Sequence, residues 1–126
     1  EYLRYLKELQ KVNKKSFLQD YHFFGVAEHY LHLSIEVLLD VSKLIILAYR
    51  FPRPEEPKDA FRLLFERKVL NDKLYEQISG MTSFRNILIH EYERIDKELV
   101  YENLQKNINQ FQEFKKQILR FLKKKR

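Results

Sequence analysis

The sequence predicts an all-α domain of four or five helices in a bundle-like arrangement, and three observations carry that prediction. Only two glycines and three prolines occur in 126 residues, too few for the turns that a strand-rich fold of this length needs. Apolar residues recur at three- and four-residue spacing through most of the chain, which is the period of a helix face. A chain of 126 residues can bury one moderate core and not two, so residues 1–126 are expected to form a single domain.

Leu3, Leu6, Gln10, Val12 and Phe17 give an imperfect stripe, with Lys7, Lys11, Lys14 and Lys15 on the wetter side. They predict a first helix over residues 2–18, with a break near Gln19 and Asp20. The second segment carries the densest pattern. Phe23, Val26, Ala27, Tyr30, Leu31, Ser34, Val37, Leu38, Val41, Leu44, Ile45 and Ala48 follow helical spacing, and Leu33, Leu39, Ile46 and Leu47 widen the apolar surface beyond one stripe. A helix of roughly 28 residues would span about 42 Å. One that is apolar on more than one side belongs at the centre of a fold or at a subunit interface.

All three prolines lie in F-P-R-P-E-E-P, Phe51 to Pro57, a stiff connector that ends the second helix. A short helix is expected from Pro57 or Lys58, with Asp59 in its first turn and Phe61, Leu64 and Phe65 facing inward. Asn71 is placed to cap a fourth helix, whose period runs through Leu74, Ile78, Met81, Phe84 (or Arg85), Leu88 and Tyr92. Gly80 within it either permits close packing or marks a kink. Asp96 is a candidate cap for the last helix, striped by Val100, Leu104, Ile108 (or Asn107), Phe111, Phe114, Ile118 and Leu122. The chain closes on Lys123 to Arg126, read as a solubilising helix end favoured by the helix dipole.

A formal charge of +6 and a pI near 9.4 allow a polyanionic partner without establishing one. The absence of cysteine excludes disulfide scaffolds and thiolate chemistry and accords with a cytoplasmic setting. No apolar run is long enough to span a bilayer, so no membrane role is expected. The chain opens on Glu1 rather than methionine, so a short preceding segment is expected. His29 and His32 have the spacing of two ligands on one helix, yet no cysteine or carboxylate pattern completes a metal site, and no metal or cofactor is expected.

The stretch F-R-N-I-L-I-H-E-Y, Phe84 to Tyr92, sets arginine, histidine and tyrosine in an otherwise apolar run. Arg85 and His90, five apart, lie about 7.5 Å apart along an ideal helix and about 140° apart around it. A long arginine can close that gap, whereas Asn86 and His90, four apart, share a face. An imidazole that moves a proton near neutral pH and a guanidinium that clamps a phosphate suit metal-free RNA cleavage. Two proton transfers are needed and the stretch offers one histidine, so a twofold dimer would supply the second. The plainer alternative stays open: Arg85 pairs with Glu91 or another carboxylate, His90 ends a helix, and Tyr92 is core.

Met81 to Asp96, M-T-S-F-R-N-I-L-I-H-E-Y-E-R-I-D, resembles the HEPN superfamily and, more narrowly, the HepT toxin family; the resemblance covers nearly the whole chain. It implies a HEPN-type helical domain and metal-independent endoribonuclease activity, with Arg85 and His90 as the catalytic pair and Asn86 as the polar residue after the arginine. It also implies that Tyr92 is the tyrosine to which a cognate minimal nucleotidyltransferase antitoxin attaches AMP, silencing the toxin. Glu36 and Asp40 match acidic positions on the second helix, and the motif is expected to line a homodimer cleft that takes RNA. The chain departs from the family pattern at Glu91, where relatives often carry glycine; a negative charge there weakens RNA binding or alters the exposure of Tyr92. The rival reading is a non-catalytic helical partner that binds the nucleotidyltransferase or its nucleotide.

Overall fold

In the computed structural model of the protein, residues 2–19, 21–90 and 96–125 are described, with residues 21, 22 and 90 described by backbone alone. Seven helices lie among them: α1 (Tyr2–Gln10), α2 (Lys14–Gln19), α3 (Tyr21–Ala48), α4 (Pro57–Glu66), α5 (Asp72–Ile78), α6 (Met81–His90) and α7 (Lys97–Lys124). The fold is an all-α bundle. Helices α3 and α7, 28 residues each, pack on one another and form its axis. Helices α1, α4 and α6 pack on α3, while α1, α2 and α5 pack on α7.

Seven elements stand where four or five were expected, because two expected helices are interrupted. The first breaks after Gln10, where the Asn13 side chain accepts a hydrogen bond from the Ser16 amide at 2.8 Å and starts a new helix. An asparagine favours that capping role over a helix interior. The fourth breaks at Gly80, between α5 and α6. A Cβ built on Gly80 meets no heavy atom within 4 Å among the described residues, so the glycine marks the break and does not serve close packing.

Other boundaries fall where the sequence places them. Pro57 opens α4, and the Glu56 amide donates to Asp59 in its first turn at 3.2 Å. Asn71 caps α5 by accepting from the Leu74 amide at 2.9 Å, and Asp96 caps α7 by accepting from the Glu98 amide at 2.9 Å. On α7 the buried stripe is Val100, Leu104, Ile108, Phe111, Phe114 and Ile118, but it ends on Phe121, with Leu122 only partly buried. Asn107 is buried beside Ile108, so both alternatives at that turn face inward. Phe65 is also only partly buried and stacks on Tyr75 at 4.7 Å.

Helix α3 is apolar beyond its core face. Leu31, Ile35, Leu38, Leu39, Ile45 and Ile46 are buried, whereas Val37, Leu44 and Leu47 are 43%, 65% and 77% exposed. Val37, Leu44 and Ala48 therefore leave the core stripe assigned to them, while Leu39 and Ile46 enter it. The exposed residues lie beside Glu36 and Asp40 within about 100° of arc at 100° per residue. No helix of the described residues is long and apolar enough to cross a membrane.

Candidate functional site

The site begins with the seating of α6. Met81, Thr82, Phe84 and Leu88 are buried, and α6 packs on α3. Burying Phe84 and Leu88 turns Arg85 toward α3, where its side chain is only 14% exposed. Its Nη1 donates to Glu36 Oε1 at 3.0 Å, and its Nη2 donates to Asn86 Oδ1 at 3.0 Å. The Arg85 Nε is buried and has no hydrogen-bond partner among the described residues. The same Glu36 Oε1 lies 3.6 Å from His32 Nε2, one turn back on α3. One carboxylate oxygen thus stands between a guanidinium on α6 and an imidazole on α3.

Of the residues singled out in the sequence, Arg85, Asn86 and Glu36 meet. Asp40 does not join them: it is exposed and makes no hydrogen bond or ion pair among the described residues. Asn86, four residues before His90 on α6, has its side-chain oxygen engaged by Arg85. The backbone of His90 ends α6; its imidazole, together with Glu91 and Tyr92, lies outside the described residues. Among the described residues the carboxylate on Arg85 is Glu36.

Sequence reasoning singled out His32 and Glu36 but missed what lies beside them. Gly25, Glu28, His29, His32 and Leu88 line a pocket of about 260 Å³. Burial raises the Glu28 carboxyl above its usual pKa. The signal available was the three- and four-residue spacing of Gly25, Glu28 (or His29), His32 and Glu36. The fifth wall, Leu88, comes from packing against α6.

Comparison with known proteins agrees with this fold over most of the chain. The family model described as ribonuclease HepT-like matches residues 1–118. An mRNA nuclease HepT from Shewanella oneidensis is 24% identical over 113 residues, 88% of this chain and 85% of its own. A tRNA nuclease HepT from Aphanizomenon flos-aquae is 25% identical over 121 residues, 96% of this chain and 82% of its own. Among solved structures, a toxin–antitoxin with AMP-PNP superposes with a TM-score of 0.85 at 20% identity, covering 93% of this chain and 88% of that one. A tri-AMPylated HEPN toxin from Shewanella oneidensis, in complex with its MNT antitoxin, gives a TM-score of 0.79 at 21% identity, covering 93% and 92%. With a helical fold of this kind and a family match running through the Arg85 to His90 segment, the chain belongs to the HepT-like family of the HEPN group.

Proposed function

We propose that this chain is the toxin component of a toxin–antitoxin system, a cytoplasmic endoribonuclease that needs no metal ion and works at a homodimer cleft. In this reading residues 1–126 act as one domain. The observation that carries it is the Arg85 guanidinium, held by Glu36 and Asn86 five residues before His90 on the same helix. A guanidinium positioned before substrate arrives can stabilise a phosphoryl group as charge develops on its oxygens. The ribose 2′-oxygen attacks the adjacent phosphorus, and the bond to the next nucleotide's 5′-oxygen breaks. A 2′,3′-cyclic phosphate and a 5′-hydroxyl result.

One proton leaves the 2′-hydroxyl and one reaches the departing 5′-oxygen. His90 of one copy takes the first and His90 of the second copy gives the other, because an imidazole exchanges protons near neutral pH. Glu36 orients Arg85, Asn86 fixes its outer nitrogen, and Asp40 adds negative charge further along α3. Names of the relatives point to both mRNA and tRNA, so the reading extends to RNA and not to one RNA class.

The test is cleavage of single-stranded RNA by purified protein in EDTA, with the ends examined for cyclic phosphate. Arg85→Ala and His90→Ala are each expected to lower the rate at least a hundredfold. Parent-like rates in both variants would sink the assignment. Tyr92 is the proposed site of silencing by a minimal nucleotidyltransferase, supported by the tri-AMPylated state of the Shewanella relative. An adenylated phenol adds bulk and negative charge that repel RNA phosphates. Mass spectrometry after incubation with the nucleotidyltransferase and ATP should find the adduct on Tyr92, and not on Tyr92→Phe.

A second reading has one observation in its favour: two of the three Arg85 nitrogens are already occupied within the chain. A non-catalytic partner of the nucleotidyltransferase would keep them so. Such a protein would bind the nucleotidyltransferase and leave RNA intact.

A further inference from the structure

The pocket beside the motif has walls of distinct chemistry. Leu88 is an apolar floor, three residues after Arg85 and two before His90, so the pocket touches α6 between the two motif residues. The His29 ring stands edge-on to Tyr30 at 5.2 Å, and Tyr30 stacks on Tyr5 at 4.8 Å, an aromatic row that holds His29 in place. His32 forms another wall and lies 3.6 Å from the Glu36 oxygen that also accepts from Arg85. Glu28 supplies a carboxyl. At Gly25 the wall has no side chain, and a Cβ there meets nothing within 4 Å among the described residues.

We propose that this pocket is a nucleobase subsite, which takes the base adjoining the scissile phosphate and favours one that carries an amino group. The proposal rests on the ribonuclease reading above. Its volume of about 260 Å³ holds roughly nine waters at about 30 Å³ each, room for one flat heterocycle. Imidazole faces and an apolar floor stack on any base. The Glu28 carboxyl accepts from an exocyclic amino group, which guanine, adenine and cytosine present and uracil lacks. A phosphate fits poorly, because Glu28 lines the pocket and the Glu36 carboxylate lies 3.6 Å from its His32 wall. A metal ion fits poorly too, since no three ligand groups converge among the described residues.

Two variants test the subsite in the full chain. Gly25→Leu adds a side chain at the pocket wall, on a helix and where a Cβ meets nothing within 4 Å among the described residues, and is expected to fill the pocket while the fold is retained, which a thermal melt checks. Glu28→Gln keeps the shape and replaces one acceptor oxygen with a donor. Fragment ends from a randomised single-stranded RNA are sequenced for the parent and both variants. The parent is expected to favour amino-bearing bases at one position flanking the cut, and each variant to weaken that preference about fivefold or more. Enrichment of uracil in the parent, or the same preference in all three proteins, overturns the subsite.

A binding readout separates this failure from failure of the ribonuclease reading. The imidazole proton signals of His29 and His32 are followed by NMR during titration with GMP and, separately, UMP. GMP is expected to shift both signals more than UMP does, and Gly25→Leu to abolish the difference. A parent that cleaves nothing but shows this pattern loses the nuclease role, while the pocket stands as a binding site for amino-bearing bases. Equal responses to GMP and UMP overturn the subsite whatever the cleavage assay returns.

Discussion

A guanidinium whose side chain is only 14% exposed needs fixed acceptors, and Glu36 and Asn86 supply them. The Glu36 side chain stays 34% exposed, so solvent discounts the cost of breaking the pair from that of a fully buried one. Glu36→Gln is expected to lower the unfolding free energy by about 1 kcal/mol. A urea-denaturation cycle with Arg85→Met should show coupling between the two changes; strictly additive losses would mean the contact adds nothing to stability. Helical spacing set Glu36 and Asp40 on one face, but which of them meets Arg85 depends on the seating of α6 on α3, which no spacing within α3 encodes. Glu28 gives a pH prediction. Burial raises its folded-state pKa above the unfolded value, so the folded state holds its proton more tightly. Its favourable contribution is complete below the unfolded carboxylate pKa of about 4.3 and is lost as pH rises through the folded value. Glu28→Gln should therefore melt higher than the parent at pH 7, and the gain should vanish below about pH 4. A gain that is flat across pH would dissociate it from ionisation.

Helix ends show where sequence patterns lose their grip on the fold. Asn71 and Asp96 cap α5 and α7 with side-chain oxygens, and short polar residues before apolar periods advertise that role. The stop of α4 carries no such notice, while that of α3 is announced by the prolines that follow it. Arg50 and Lys68 take positive φ of 56° and 62°, a left-handed conformation usually left to glycine. The next amides close each end: Phe51 donates to the Ile46 carbonyl at 2.9 Å and Val69 to the Leu64 carbonyl at 2.8 Å. Nothing in the side chains of Arg50 or Lys68 signals a C-terminal cap, so the turn after α4 is set by the burial of Val69 and Leu70 beyond it. Lys68 is exposed, and its side chain makes no hydrogen bond or ion pair among the described residues. Lys68→Gly should thus relieve backbone strain and raise stability by about 0.5–1 kcal/mol, despite the added freedom of the unfolded chain. Denaturant unfolding checks the sign; a loss would mean that the left-handed residue is less strained than its dihedral implies.

The two apolar sides of α3 settle different questions at the scale of the whole molecule. One side builds the core with α7, and reciprocal amide contacts close the bundle where Gln10 donates to the Gln105 carbonyl at 3.1 Å and Gln105 to the Gln10 carbonyl at 3.3 Å. The other side leaves Val37, Leu44 and Leu47 in water, next to the face that carries Glu36. That excess was visible in the sequence as apolar residues beyond one stripe, although Val37 and Leu44 could not be assigned to the open side before α1, α6 and α7 had taken their places. Burying them against a second copy would place two Arg85–Glu36 pairs beside a shared cleft, the arrangement a two-histidine reaction requires. Replacing both Leu44 and Leu47 with glutamate should cost the monomer little, since neither side chain is in the core, while desolvated like charges should oppose association. Light scattering should then report half the parent's mass, and RNA cleavage should fall about as far as in His90→Ala. The circular dichroism of the bundle should be unchanged. A parent that is monomeric at concentrations where it still cleaves would remove the second histidine from the mechanism and require another proton donor within one chain, for which His32, 3.6 Å from the Glu36 oxygen that accepts from Arg85, is a candidate.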